Sequence, residues 1–151
     1  MENKIEQYQM IISFIKNSPN SKKVTIFSEL VNLLKNNFEY MDWVGFYDKD
    51  ENKEELFLSY YVGSEACEII KLPNGVCGRC FVEQKTQLVR DVRDIPYHIA
   101  CSSSTISEIV VPLFKNGKVV SVLDIDSDLE NAFDETDQKY LEEICKMLEA
   151  Y

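Results

Sequence analysis

Ile5, Tyr8, Ile12 and Ile15 recur at helical spacing, and Phe27, Leu30, Val31 and Leu34 repeat the pattern. The S-P-N-S stretch at 18–21 separates the two runs and is expected to cap the second helix. The pattern then changes. MDWVGFYDK (41–49) and LFLSYYV (56–62) are rich in aromatic and β-branched residues and flank the turn-forming DENKE, so both are expected to be strands. A short strand, CEIIKL, ends at Pro73-Asn74-Gly75; GVCGRCFVEQK predicts a short helix entered through glycines, and TQLVRDV a strand after it. SEIVVPLF and KVVSVLDID flank Asn116-Gly117, the pair that suits a two-residue hairpin turn. A last helix is expected to begin near Asp134 and to bury Leu141, Ile144, Cys145 and Leu148. This order predicts an α+β fold, an antiparallel sheet flanked by N- and C-terminal helices, in a single domain over 1–151.

The totals narrow the function. The 151 residues are 45% hydrophobic and 28% charged, the balance of a globular protein. The net charge of −10 argues against nucleic acid and anionic membranes as partners. MENKIEQYQM has no apolar stretch, so it does not read as a signal peptide, and a cytoplasmic location is expected. In that reducing compartment, Cys67, Cys77, Cys80 and Cys101 suggest catalysis, metal binding or burial rather than a disulfide framework. Cys101 stands three residues after His98, the single histidine, and before Ser102, Ser103, Ser104 and Thr105, groups able to stabilise a thiolate. A structural zinc needs two close-spaced pairs, and C-G-R-C supplies one, so no metal is expected. Asp124, Asp126, Asp128 and Glu135 match an EF-hand loop only in part. Leu129 stands where that loop needs glycine, and a strand precedes it.

Asp124 and Asp126 project from one face of a strand about 7 Å apart, close enough for one to retain a proton. If Lys115 pairs with Lys118, a regular hairpin sets Glu108 opposite Ile125 and turns it away from the two aspartates. A bulge at Pro112, which cannot donate to the ladder, would bring the three acids together, and that irregularity is expected.

WVGFY (43–47), AC (66–67), NGVCG (74–78), DV (91–92), HIAC (98–101), SEIVVPL (107–113) and VLDIDS (122–127), with cysteine spacings of 10 and 24, closely resemble the free methionine-(R)-sulfoxide reductases, a GAF-domain family. The resemblance implies a small enclosed pocket over one face of the sheet and reduction of the free amino acid, with no cofactor beyond reducing equivalents from a thioredoxin-like partner. It implies Cys101 as nucleophile, Cys67 as resolving cysteine and Cys77 as a third, secondary thiol. Glu108, Asp124 and Asp126 match the acids lining the site, and Trp43 and Tyr47 the aromatics holding the methyl-thioether end. GAF relatives often pair, so a homodimer is an expected assembly. The alternative is a GAF module that binds a small ligand, or senses oxidation, without turnover. Tyr97 and Ser102 stand where the family usually has glycine and aspartate, and Cys80 where it has a small non-thiol residue. His98 is expected to be hydrogen-bonded within its own loop.

Overall fold

The computed structural model describes residues 3–64 and 66–151; residues 1, 2 and 65 of the expected domain lie outside it. Two helices, α1 (Lys4–Lys16) and α2 (Lys23–Asn37), precede strands β1 (Trp43–Lys49), β2 (Glu55–Val62) and β3 (Ile69–Lys71). Helix α3 (Gly75–Glu83), strand β4 (Gln87–Val89) and a 3-10 turn at Val92–Asp94 lead to the hairpin β5 (Ser107–Lys115) and β6 (Lys118–Ser127), and α4 (Glu135–Leu148) closes the chain. The strands form one antiparallel sheet in the order β3-β2-β1-β6-β5-β4. Among the described residues no helix is long and apolar enough to cross a membrane.

Alternation along the central strands divides the molecule into two layers. Val44, Phe46, Ile109, Val111, Leu113, Leu123 and Ile125 face α1, α2 and α4 and form the larger core with Phe27, Leu30, Leu141 and Ile144. Tyr47, Val110 and Val122 project to the opposite face and pack with Val76, Cys77 and Cys80 of α3. The helical face of α1 is Tyr8, Ile11, Ile12 and Ile15, whereas Ile5 is exposed at the helix start. Its phase is set by Ile11, which completes an i, i+3, i+4, i+7 stripe. Buried Asp137 ties α4 to α1: it accepts from the hydroxyls of Tyr8 and Tyr40, each at 2.6 Å, and pairs with Lys4 at 2.9 Å.

Local chemistry explains most ends and corrects two expectations. Asp134 and Asp137 form a reciprocal capping box at the start of α4. Helix α2, by contrast, has Lys22 at its N-cap and no side-chain cap bond. The preceding serines fall too early to cap it, and Ser18 Oγ instead donates to the carbonyl of Phe14 at the end of α1. The strand expected over TQLVRDV stops at Val89, because Asp91 accepts from the Arg93 backbone N–H and folds the chain into the 3-10 turn.

The hairpin register decides where the acids face. Asn116 and Gly117 both have positive φ, as a primed two-residue turn needs, and Lys115 pairs with Lys118. Phe114 pairs with Val119 but Leu113 pairs with Ser121, so Val120 is an extra residue on β6. The irregularity is therefore present one pair beyond Pro112, and on the partner strand. It moves Glu108 from Ile125 to Asp126 and turns it onto the face of Asp124 and Asp126. Deleting Val120 removes only the extra residue: Leu113 already pairs with Ser121, so the ladder becomes regular and Glu108 stays opposite Asp126.

Candidate active site

The hairpin, α3 and two irregular segments converge over the sheet face away from the large core. Glu108 on β5 lies opposite Asp126 on β6, and Val110 opposite Asp124. Glu108 and Asp124 retain only 6% and 5% exposure, and Asp126 is half-buried. Helix α3 places Cys77 above them: its Sγ and carboxylate oxygens of Glu108 and Asp124 all lie within 4.8 Å of one another. The segment between β2 and β3 carries Cys67, and the segment before β5 carries Cys101; the two are joined as a disulfide with Cα atoms 5.1 Å apart. Tyr47 on β1 donates its hydroxyl to the Cys67 carbonyl at 2.8 Å, fixing that segment from beneath.

Between them is a cavity lined by Cys101, Cys77, His98, Glu108, Asp124 and Asp126, with Ser102 and Thr105 at its edge. Its volume is about 20 Å³, room for roughly one water molecule. Two larger grooves, of about 570 and 900 Å³, lie elsewhere, one beside Phe114 and Glu142 and the other beside Lys4 and Tyr40. The first is lined by Cys145 with Glu142 and Glu149, but that thiol is buried, burial pushes its proton affinity up, and no second cysteine lines the groove.

Burial and mutual repulsion dominate the electrostatics. Desolvation lifts Glu108 well above the ordinary carboxylate range, and the charges of Asp124 and Asp126 lift it further. Asp126 is also pushed well up, by burial first and then by Asp124. Asp124 is raised by burial, but hydrogen bonding with Glu108, Asp126 and Cys77 restrains the rise. Asp124 Oδ1 and Asp126 Oδ1 are buried and meet no side-chain or backbone donor, so a retained proton is the hydrogen available to join the carboxyls. Burial, then the neighbouring carboxylates, drives the Cys77 thiol well up, so it stays protonated.

His98 departs from the expectation of a loop-bound ring. Its Nε2 faces Glu108 Oε1 at 3.8 Å, and desolvation, partly offset by the Asp124 charge, lowers its proton affinity. Cys80 is fully buried and turns its thiol to the Val110 carbonyl at 3.6 Å, outside the cavity. The zinc set conceivable from sequence is thus not assembled, since Cys67 and Cys101 bond each other and Cys80 faces away. Cys77, Glu108 and Asp124 remain the donor trio that a cation would meet, but one protonated thiol with proton-sharing carboxyls does not make a structural zinc centre.

Trp43 and Tyr47 share the sheet face with the acids, their rings stacked with centroids 6.0 Å apart, and Trp43 lies directly across from Asp126. Neither lines the cavity as the disulfide closes it. Its apolar wall is Ile70, Val76 and Ile99, which sequence reasoning passed over. Only the turn at Pro73-Asn74-Gly75, which begins α3 here, hinted that Val76 would face the thiols.

This layering, a sheet with helices behind and a thiol-and-acid chamber in front, is that of a GAF domain, and the GAF domain family profile matches residues 24–148. GAF domain-containing protein A of Dictyostelium discoideum is 42% identical over 97% of this chain and 92% of its own length. The free methionine-R-sulfoxide reductase of Saccharomyces cerevisiae is 41% identical over 72% of this chain and 61% of its own. The crystal structure of the free methionine-R-sulfoxide reductase from Neisseria meningitidis in complex with its substrate superposes with a TM-score of 0.92 at 40% identity, covering 99% of this chain and 90% of that one. The chain belongs to the GAF-domain family and, within it, to the free methionine-(R)-sulfoxide reductases.

Proposed function

We propose that this protein reduces free methionine-(R)-sulfoxide to methionine, with Cys101 as nucleophile and Cys67 as resolving cysteine. The single observation that carries the reading is that these two thiols meet as a disulfide over a cavity whose floor is Glu108, Asp124 and Asp126. A sulfoxide sulfur becomes a good electrophile when its oxygen is protonated, and a carboxylic acid held neutral by burial is a suitable donor. Glu108 and Asp126, the two pushed furthest up, fill that role. Asp124, the most restrained, carries the negative charge that meets the substrate ammonium. Trp43 and Tyr47 receive the methyl-thioether end once the chamber opens.

The Cys101 thiolate attacks the protonated sulfoxide, the oxygen passes to Cys101 as a sulfenic acid, and methionine leaves. The Cys67 thiol then attacks the sulfenic sulfur and expels water, forming the disulfide. A thioredoxin-like dithiol supplies two electrons and two protons by thiol–disulfide exchange and returns both cysteines to thiols. The chemistry is carried by protein side chains, so neither a metal nor an organic cofactor is needed. Cys77, protonated and against Asp124, supports the acid cluster rather than resolving first. Cytoplasmic placement suits enzyme thiols that must be kept reduced, and a single catalytic domain, able to pair with a second copy, completes the reading.

The test is an NADPH assay coupled through thioredoxin reductase and thioredoxin, run separately with the R and S isomers of free methionine sulfoxide. Consumption of the R isomer alone is expected. Equal use of both would contradict the reading, and consumption of neither would favour a GAF module that binds a ligand or senses oxidation without turnover.

A further inference from the structure

The segment carrying Cys101 rests on one side of α3. Gly75 and Arg79, four residues apart, share a helix face. A Cβ on Gly75 would stand 3.0 Å from Ile99 Cδ1, so Ile99 lies directly on the start of the helix. One turn later, the Arg79 guanidinium stacks over the Tyr97 ring, 3.7 Å from its centroid. His98, between them, turns the opposite way toward Glu108. Alternate residues of the segment therefore grip the helix and close the cavity. With the disulfide formed, the remaining 20 Å³ cannot hold a free amino acid of methionine's size, so the segment must lift for substrate to enter. Ile99 and Tyr97 are the contacts that must part.

We propose that Arg79 and Tyr97 form a latch that holds the Cys101 segment against α3 and favours the disulfide over the open dithiol. Both are positioning residues acting through Cys101. The inference rests on the reading of Cys67 and Cys101 as the redox pair. Arg79 also approaches Glu83 at 3.5 Å, but that pair is exposed and lies within one helix, so it contributes little. The stack is lost when the segment lifts, and its attraction therefore adds to the stability of the closed, oxidised form alone.

The experiment equilibrates the protein with dithiothreitol, whose two thiols pass two electrons and two protons to Cys67 and Cys101 while it closes to its cyclic disulfide. Trapping free thiols then gives the disulfide–dithiol equilibrium constant. Tyr97→Leu and Arg79→Gln are each expected to shift it about two- to fivefold toward the dithiol, the size of one partly exposed cation–π contact. That makes the potential about 9 to 21 mV less negative. The double variant should shift no further than either single one, because both break the same contact. Tyr97→Phe, which keeps the ring face, and Glu83→Gln should match wild type. An unchanged equilibrium in the two latch variants, additive shifts in the double variant, or the same shift in Tyr97→Phe would overturn the latch. Turnover of wild type in parallel separates this from the proposed function: an inactive wild type would strike that reading, while the equilibrium reports on the latch regardless.

Discussion

Replacing Cys101 by serine is expected to reduce turnover of free methionine-(R)-sulfoxide to background, a loss of at least about 10³-fold. A serine hydroxyl fits the same space but offers no thiolate and cannot be cycled through a sulfenic acid. The companion Cys67→Ser has a different signature. Its first turnover should proceed and release one methionine, since Cys101 and the acids are intact. Recycling should then stall, leaving a sulfenic acid that a dimedone-type probe can tag. If Cys67→Ser kept full steady-state turnover with thioredoxin, Cys67 would lose its role and Cys77 would be the candidate resolver. That outcome is disfavoured here because Cys77 is 3% exposed and its thiol is held protonated by burial and three carboxylates.

The second large effect concerns the acid cluster. Glu108→Gln and Asp126→Asn are each expected to lower kcat/KM by about 10² to 10⁴-fold, the range for losing a positioned proton donor. Wild-type kcat/KM should fall on the alkaline side as the cluster gives up its proton, and the residual activity of the amide variants should lack that limb. Stability follows the same groups. Folded-state values of Glu108, Asp124 and Asp126 are raised, so the native state binds protons more tightly than the unfolded chain. Their stabilising contribution is complete below the unfolded carboxylate range, near pH 4, and is lost as pH rises through the folded values. The sign is opposite to that of a salt-bridged aspartate. Glu108→Gln should therefore remove part of this pH-dependent loss in urea midpoint above about pH 4. A midpoint difference between wild type and Glu108→Gln that stays constant as pH rises would contradict a proton-holding cluster.

Much of this site was legible in the chain, for local reasons. Asn116-Gly117 marks its own turn, period-two spacing puts Asp124 and Asp126 on one face, and the helical stripes of α2 and α4 announce the large core. The remaining features depend on tertiary geometry. The bulge at Val120 could be expected because Pro112 and the acids demanded an irregularity, but not located, since any residue near the pair could be the extra one. His98 turns to Glu108 because its neighbours Tyr97 and Ile99 are seated on α3, an arrangement that no spacing in the segment encodes. Of the four hydroxylated residues after Cys101, Ser102 and Thr105 reach the cavity edge, whereas Ser104 bonds Ser102 at 3.0 Å. The wall residues Val76 and Ile99 are ordinary apolar side chains, and their part in the site is fixed by where α3 docks.

The most direct measurement of the central claim is a single turnover. Fully reduced protein is mixed with one equivalent of free methionine-(R)-sulfoxide without external thiol, the remaining thiols are alkylated, and peptides are mapped by mass spectrometry alongside quantified methionine. One methionine per chain, loss of two thiols, and a Cys67–Cys101 linkage with Cys77, Cys80 and Cys145 alkylated are expected. Methionine formed while Cys101 remains free to alkylate would contradict that claim.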